Sequence, residues 1–295
     1  MDMMDEFVQQ RWRELQEMQR EDERAREEEA DLKAETAYLR LKLADSYMRG
    51  GKVSRAIAEY KRAIKLDKQN GLFQTRLADA YVAADDIPTA MEAYRKAIQV
   101  DPLLADPHSS LGDLYMRYGM LWRALEQYRQ AVHLDPERAF YRYQLGDIEE
   151  RVGMIAEATN ELTEACLLAP RVAFYRFRLA SMYQQLGRPE QAYVHMQIAC
   201  NIAPFDDYYL VRLASLAVAT GNVTEAIIFL QKAITLRPHN DAYQRLLAEA
   251  YLISGREDLH ESLCRRVGRL GAYDEECVAR RMAEWRVHRS PQSPS

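Results

Sequence analysis

The side chains in this sequence best suited to chemistry near neutral pH are six histidines and four cysteines. They are His108, His133, His195, His239, His260 and His288, with Cys166, Cys200, Cys264 and Cys277. Their spacing assembles no reaction centre: there is no H-E-x-x-H, G-x-S-x-G, P-loop or C-x-x-C pattern. The expectation is a protein without catalysis, cofactor or metal. His133 and His239 fall near predicted helix ends, where a cation suits the helix dipole. Cys166 and Cys200 stand 34 residues apart and read as small packing residues. Carboxylates are more orderly. Asp45, Asp79, Asp113 and Asp147 recur at 34-residue steps, a column suited to attracting basic groups rather than to breaking bonds.

The same step governs the elements that must position these residues. Residues 71–102 show the unit: Leu77, Ala78, Tyr81, Ala90, Tyr94, Ala97 and Pro102. Leu77 and Tyr81 are four apart and share one helix face. Ala78 and Ala90 are small enough to let two antiparallel helices approach closely, and Ala97 does the same toward the next unit. Pro102 cannot continue a helix and disfavours helical geometry in Asp101. The large apolar position reads Leu43, Leu77, Leu111, Leu145, Leu179, Leu213 and Leu247. The small residue after it is Ala44, Ala78, Gly112, Gly146, Ala180, Ala214 and Ala248. Gly51, Gly119, Gly153, Gly187 and Gly221, with Asp85 standing in once, sit where the first helix must turn. One such pair cannot bury its apolar side alone, so neighbours must stack.

This pattern resembles the tetratricopeptide repeat family, with its Leu-Gly-x-x-Tyr, Ala-x-x-x-Phe and Pro signature at a 34-residue period. The resemblance covers roughly residues 37–270. It implies an all-α fold, a right-handed superhelical solenoid of antiparallel helix pairs. The expected units are 37–70, 71–104, 105–138, 139–172, 173–206 and 207–240, with a degenerate seventh at 241–270. The family's Trp is replaced by Arg40, Gln74, His108, Arg142 and Arg176.

The resemblance further implies that unit positions 2, 5, 9, 12 and 13 line a concave groove. Mapped here, they give two zones. Asp45, Asp79, Asp113 and Asp147, with Arg49, Arg117, Glu150 and Arg151 nearby, form a net-acidic strip. Phe140, Tyr143, Phe174, Phe177 and Tyr208 form an aromatic zone, while Tyr141, Tyr175 and Tyr209 read as core or inter-repeat residues. The aspartates are either a solvated face or a stripe for basic ligand residues. The five rings are either core or a docking surface. A chaperone-type carboxylate clamp is disfavoured, because Leu41, Asp45, Thr75 and Asp79 stand where Lys and Asn would be needed. An asparagine ladder for peptide backbones is missing too, since Lys42, Arg76, Ser110, Gln144, Arg178 and Arg212 fill those positions. The function implied is a protein-interaction scaffold or assembly factor.

Charge and composition narrow the partners. The 295 residues carry a net charge of −5, and 48% are hydrophobic, enough for a continuous core in an elongated array. Nucleic-acid binders show a basic patch or stripe; the aspartate column argues against one. A protein or peptide partner with basic residues fits better. Acidic Asp2, Asp5 and Glu6 open the chain, so a secretory signal is not expected. No apolar run reaches the roughly 18 residues that would cross a bilayer, and a cytoplasmic setting is the default. Residues 1–36 lie outside the register and hold a charge of −7, leaving +2 for the rest. Good helix formers make this extension a predicted helix. Its Phe7, Trp12, Leu15 and Met18 are either the frayed start of a solvated lead-in or a docking helix, the latter giving an alternative in which the chain self-assembles through a neighbour's groove. A capping helix is expected over 271–289, with Cys277, Val278, Met282 and Trp285 buried, and a disordered tail over 290–295.

Overall fold

The computed structural model describes the backbone of residues 2–267 and the side chains of residues 18–265. The expected cap at 271–289, the tail at 290–295 and the side chains of Phe7, Trp12 and Leu15 lie outside the described residues. Every regular element among those described is an α-helix, and none is a strand. The chain forms two compact units, Met1–Pro136 and Glu137–Ser295.

The first unit holds α1 (Asp2–Arg49), α2 (Val53–Leu66), α3 (Gly71–Ala83), α4 (Ile87–Val100), α5 (Ala105–Arg117) and α6 (Leu121–Leu134). They pair as α1 with α2, α3 with α4 and α5 with α6, while α2 also packs on α3 and α4 on α5. α1 runs without interruption from the charged extension into the first helix of the first pair, because no Gly or Pro occurs before residue 50. Ala56, Ala63, Ala78, Ala90, Ala97, Ala124 and Ala131 are fully buried, as close helix contact requires. At Gly112 even a methyl group is too large: a Cβ there would lie 2.7 Å from the Tyr128 ring.

The second unit continues with α7 (Ala139–Arg151), α8 (Ile155–Leu168), α9 (Ala173–Gln185), α10 (Pro189–Ile202), α11 (Asp207–Ala219), α12 (Val223–Leu236), α13 (Asp241–Ile253) and α14 (Glu257–Val267). Its pairing follows the same rule. Ala158, Ala165, Ala192, Ala199, Ala226 and Ala233 are again fully buried. Thus each second helix from α2 to α12 contributes two alanines to the contact, and the core grows by addition of neighbours.

One turn joins the two helices of every pair. The second residue after the first helix enters the left-handed region, at φ 68° in Gly51, 59° in Asp85 and 86° in Gly153. The amide after it then reaches back five residues, as in Lys52 N–H to Tyr47 O at 2.8 Å and Asn222 N–H to Ala217 O at 2.7 Å. This satisfies carbonyls left open by the helix end. Asp85 is tolerated because a short polar side chain is among the few that accept this geometry.

Candidate functional site

In the second unit the rings of three successive first helices form one ladder. Positions 2 and 5 of each unit lie three residues apart and share a face. Phe140 and Tyr143 of α7 are therefore neighbours, with centroids 6.3 Å apart, and so are Phe174 and Phe177 of α9 at 6.2 Å. The position-5 ring then bridges to the next first helix. Tyr143 meets Phe174 edge-on at 5.2 Å and stacks on Tyr175 at 5.4 Å. One repeat later Phe177 meets Tyr208 edge-on at 5.6 Å and stacks on Tyr209 at 5.4 Å. Each ring pair of this kind contributes about 0.5–1.5 kcal/mol beyond its buried area.

The ladder has an open side. Phe140, Phe174 and Tyr208 remain 46%, 40% and 51% exposed, whereas Tyr143 and Phe177 are half-buried. Tyr141 and Tyr175 are buried behind them. All five rings predicted for the aromatic zone are thus brought together, three offering rigid apolar area and two fixing it. Burial pushes the Tyr143 hydroxyl up, with nearby Asp147 adding to the shift; it stays protonated and able to donate.

A belt of paired charges runs along α7 and α9. Arg178 donates through Nη2 to Asp147 Oδ1 at 2.6 Å and to Glu150 Oε2 at 2.5 Å. Arg151 Nε reaches Asp147 Oδ2 at 3.0 Å, and Gln185 Nε2 reaches Glu150 Oε1 at 2.5 Å. Both Asp147 oxygens are therefore held by arginines, and this column position presents a closed ion-pair cluster.

In the first unit the column aspartates have a different internal partner. Tyr60 donates to Asp45 Oδ1 at 2.5 Å, Tyr94 to Asp79 Oδ1 at 2.6 Å and Tyr128 to Asp113 Oδ1 at 2.6 Å. The separation is 15 residues each time, from a buried second-helix tyrosine to the first helix of its own pair. Asp79 also lies 3.5 Å from Arg76 Nη1. Burial pushes the Tyr60 and Tyr94 hydroxyls well above their ordinary value, and the aspartate beside each adds to the shift. Burial likewise raises the Asp79 carboxyl, against the opposing bonds from Tyr94 and Arg76. The sequence reading left these carboxylates between solvent and ligand and missed the tyrosines. The signal was present: the residue 15 positions on is Tyr60, Tyr94 and Tyr128 in these units but Leu162 after Asp147, and Met196 and Leu230 where Ser181 and Ser215 replace the aspartate.

A second recurring pair explains the missing tryptophans. Arg40 Nη1 donates to Glu59 at 2.8 Å, and Arg142 Nη1 to Glu161 at 2.9 Å. His108 Nδ1 lies 2.9 Å from Gln127 Oε1, and Arg176 Nη1 lies 3.4 Å from His195 Nδ1. All four span 19 residues, so a polar cross-helix pair occupies the place of an apolar ring. Burial, with Arg176 beside it, pushes the His195 imidazole down, which leaves it neutral and able to accept from that arginine.

Among the described residues no group of three or more His, Cys, Asp or Glu is placed to hold a metal, and no helix is long and apolar enough to cross a membrane. Cys166 and Cys200 are buried free thiols, pushed by burial to about 11 and about 12; they act as packing groups rather than nucleophiles at neutral pH.

Residues 41–105 and residues 208–240 match family profiles described as tetratricopeptide repeat. Among solved structures, the chain is similar to the C-terminal part of a TPR repeat-containing protein from Cytophaga hutchinsonii, with TM-score 0.65 and 15% identity over 81% of this chain and 98% of that one. It is similar to PilW, described as a widely conserved type IV pilus biogenesis factor, with TM-score 0.58 and 21% identity over 72% and 98%. YrrB, described as a TPR protein with an unusual peptide-binding site, gives TM-score 0.56 and 19% identity over 63% and 96%. At these identities the likeness establishes the fold. No curated protein matches the sequence.

Proposed function

The chain is a tetratricopeptide-repeat protein, and from that premise we propose that it is a non-enzymatic scaffold that holds a protein or peptide segment against the ring ladder of its second unit. The observation that carries this reading is the repeated exposure of Phe140, Phe174 and Tyr208 on three consecutive first helices. Ring area held rigid in advance loses little entropy on binding and makes good anchor surface. YrrB and PilW support the reading by example, one with its unusual peptide-binding site and the other as a type IV pilus biogenesis factor.

The ligand inserts apolar side chains between the three exposed rings. Its basic residues face the carboxylates beside them, and Asp147 and Glu150 exchange part of their bonding to Arg178 for the ligand. The column aspartates Asp45, Asp79 and Asp113 serve the fold first through their tyrosines, and act on a partner only through long-range charge. No nucleic acid, membrane or cofactor enters this function, and its setting is the cytoplasm. In the alternative, a self-assembling array, Phe7, Trp12, Leu15 and Met18 of one copy fill the groove of the next; the repeated exposure of Phe140, Phe174 and Tyr208 favours the first reading.

The test is the double substitution Phe174→Ala with Phe177→Ala. Peptides selected from a random library on the unaltered protein should lose at least about tenfold in affinity for the double variant, while circular dichroism shows unchanged helicity. Equal affinity with intact helicity would sink the proposal.

A further inference from the structure

α1 differs from every other first helix of the first unit in what it leaves uncovered. Leu77 is buried in one cluster with Ala56, Tyr60 and Ala63 of the preceding second helix. Leu43, at the same unit position, is 42% exposed, with no second helix packed on that side of α1 among the described residues. Leu39, Leu32 and Met18 continue this open side at 58%, 64% and 57% exposure. Ala37, Leu41 and Ala44, which pack on α2, lie on the other side of the helix. Residues 18–35 are exposed throughout.

The spacing on the open side has a period. Met18, Ala25, Leu32 and Leu39 fall every seventh residue, and Leu43 follows Leu39 by four. That is one of the two seam positions of a two-stranded coiled coil, whose seam alternates steps of three and four; the other position is Asp22, Glu29 and Thr36 before it becomes apolar at Leu43. The sequence carries the register back through Leu15, Val8 and Met4. The flanking charges sort by register position. Glu21, Glu28 and Glu35 stand on one flank of the seam; Arg26, Lys33 and Arg40 stand on the other.

This sorting selects an orientation. In two parallel, in-register helices each residue of the first flank faces the residue five positions on in the partner. Glu21 then meets Arg26, Glu28 meets Lys33 and Glu35 meets Arg40, twice each by the two-fold symmetry. An antiparallel pair would set glutamate against glutamate and base against base. Two of these bases already have partners within the chain: Lys33 pairs with Glu29 at 2.6 Å and Arg40 with Glu59 at 2.8 Å. A solvated helix held by pairs four residues apart accounts for the charges but not for the leucines on a seven-residue step.

We propose that α1 is a dimerisation helix, whose open side over residues 18–43 pairs in parallel and in register with α1 of a second copy of this chain. Asp22 and Glu29 fall on the seam, where like charges meet, so the association is reversible rather than permanent. The inference is independent of the ring ladder.

Sedimentation equilibrium of the full chain tests it. The unaltered protein dimerises across micromolar concentrations. Glu21→Lys with Glu28→Lys places like charges on both flanks and weakens self-association by at least about tenfold, as does Arg26→Glu with Lys33→Glu. Mixing the two variants in equal amounts restores the dimer, because each repairs the other's charges. Ala25→Cys, on the seam, forms an intermolecular disulfide under mild oxidation, and Glu27→Cys, on the outer side, does not. A monomer at every concentration, charge variants that associate like the parent, or a dimer lost in the Phe174→Ala, Phe177→Ala variant would each overturn the proposal.

Discussion

The two units solve one packing problem with different residues. In the first, Tyr60, Tyr94 and Tyr128 of the second helices donate to Asp45, Asp79 and Asp113 of the first helices. In the second, Leu162, Met196 and Leu230 stand at the tyrosine position and are buried, and the first helices carry a ladder of rings. The difference teaches where a repeat can afford a binding face. A tyrosine in the second helix claims the first-helix side chain above it for the fold. An aliphatic residue makes no such claim, and the first-helix face is left to other work. Asp147 is the transitional case: it keeps the carboxylate, has lost the tyrosine and takes Arg178 and Arg151 instead.

The largest expected break in this comparison is Arg178→Met. Arg178, Asp147 and Glu150 are each at most 20% exposed, so removing the cation leaves Asp147 with its bond from Arg151 and Glu150 with its bond from Gln185, and costs about 3 kcal/mol. A lowered urea midpoint is the expected reading. Gly112→Ala comes next. Its Cβ would overlap the Tyr128 ring, which the bond to Asp113 holds in place, and overpacking of this kind costs about 2 kcal/mol. Ala44 and Ala78 occupy the same unit position beside Tyr60 and Tyr94, so the loss measures how tightly this one turn of the first unit is closed.

Tyr94→Phe should cost about 1 kcal/mol by removing one bond to a carboxylate. Combined with Asp79→Ser it should cost less than the sum of the two, giving a coupling energy of about 1 kcal/mol. Additive losses would mean that tyrosine and aspartate act independently. The smallest effect is a pH dependence. The Tyr60 and Tyr94 hydroxyls are raised in the folded chain, so their contribution is complete below the ordinary tyrosine value of about 10 and is lost as pH climbs beyond it. An ultraviolet titration should show Tyr60 and Tyr94 ionising only as helicity falls. His195 has the opposite sign: its value is lowered, so its contribution is complete above about 6.5 and fades on acidification below that.

Much of this was legible in the sequence, for a physical reason. The 34-residue step is written in residues that cannot be exchanged without opening or overfilling a helix contact, such as Ala90 and Ala97, or without straining a turn, such as Gly153 at φ 86°. The rings were legible too, because Phe140-Tyr141 and Phe174-Tyr175 repeat a pattern of one outward and one inward ring. The tyrosine–aspartate bonds were not seen, because each residue alone is ordinary and only the pairing 15 residues apart is informative. The same holds for Arg40 with Glu59 and Arg142 with Glu161, where the departure from an expected tryptophan made sense only with its partner on the neighbouring helix. The seam on α1 was hidden by the charges around it until the exposed side of Leu32, Leu39 and Leu43 was visible.

The account turns on the ring ladder being the face that meets a partner. The direct measurement places a photo-crosslinking phenylalanine analogue at position 174 and, as its counterpart in the first unit, at position 122, where Trp122 is 69% exposed. A peptide selected on the unaltered protein should form an adduct at 174 and none at 122. An adduct at 122 with none at 174 would contradict the account.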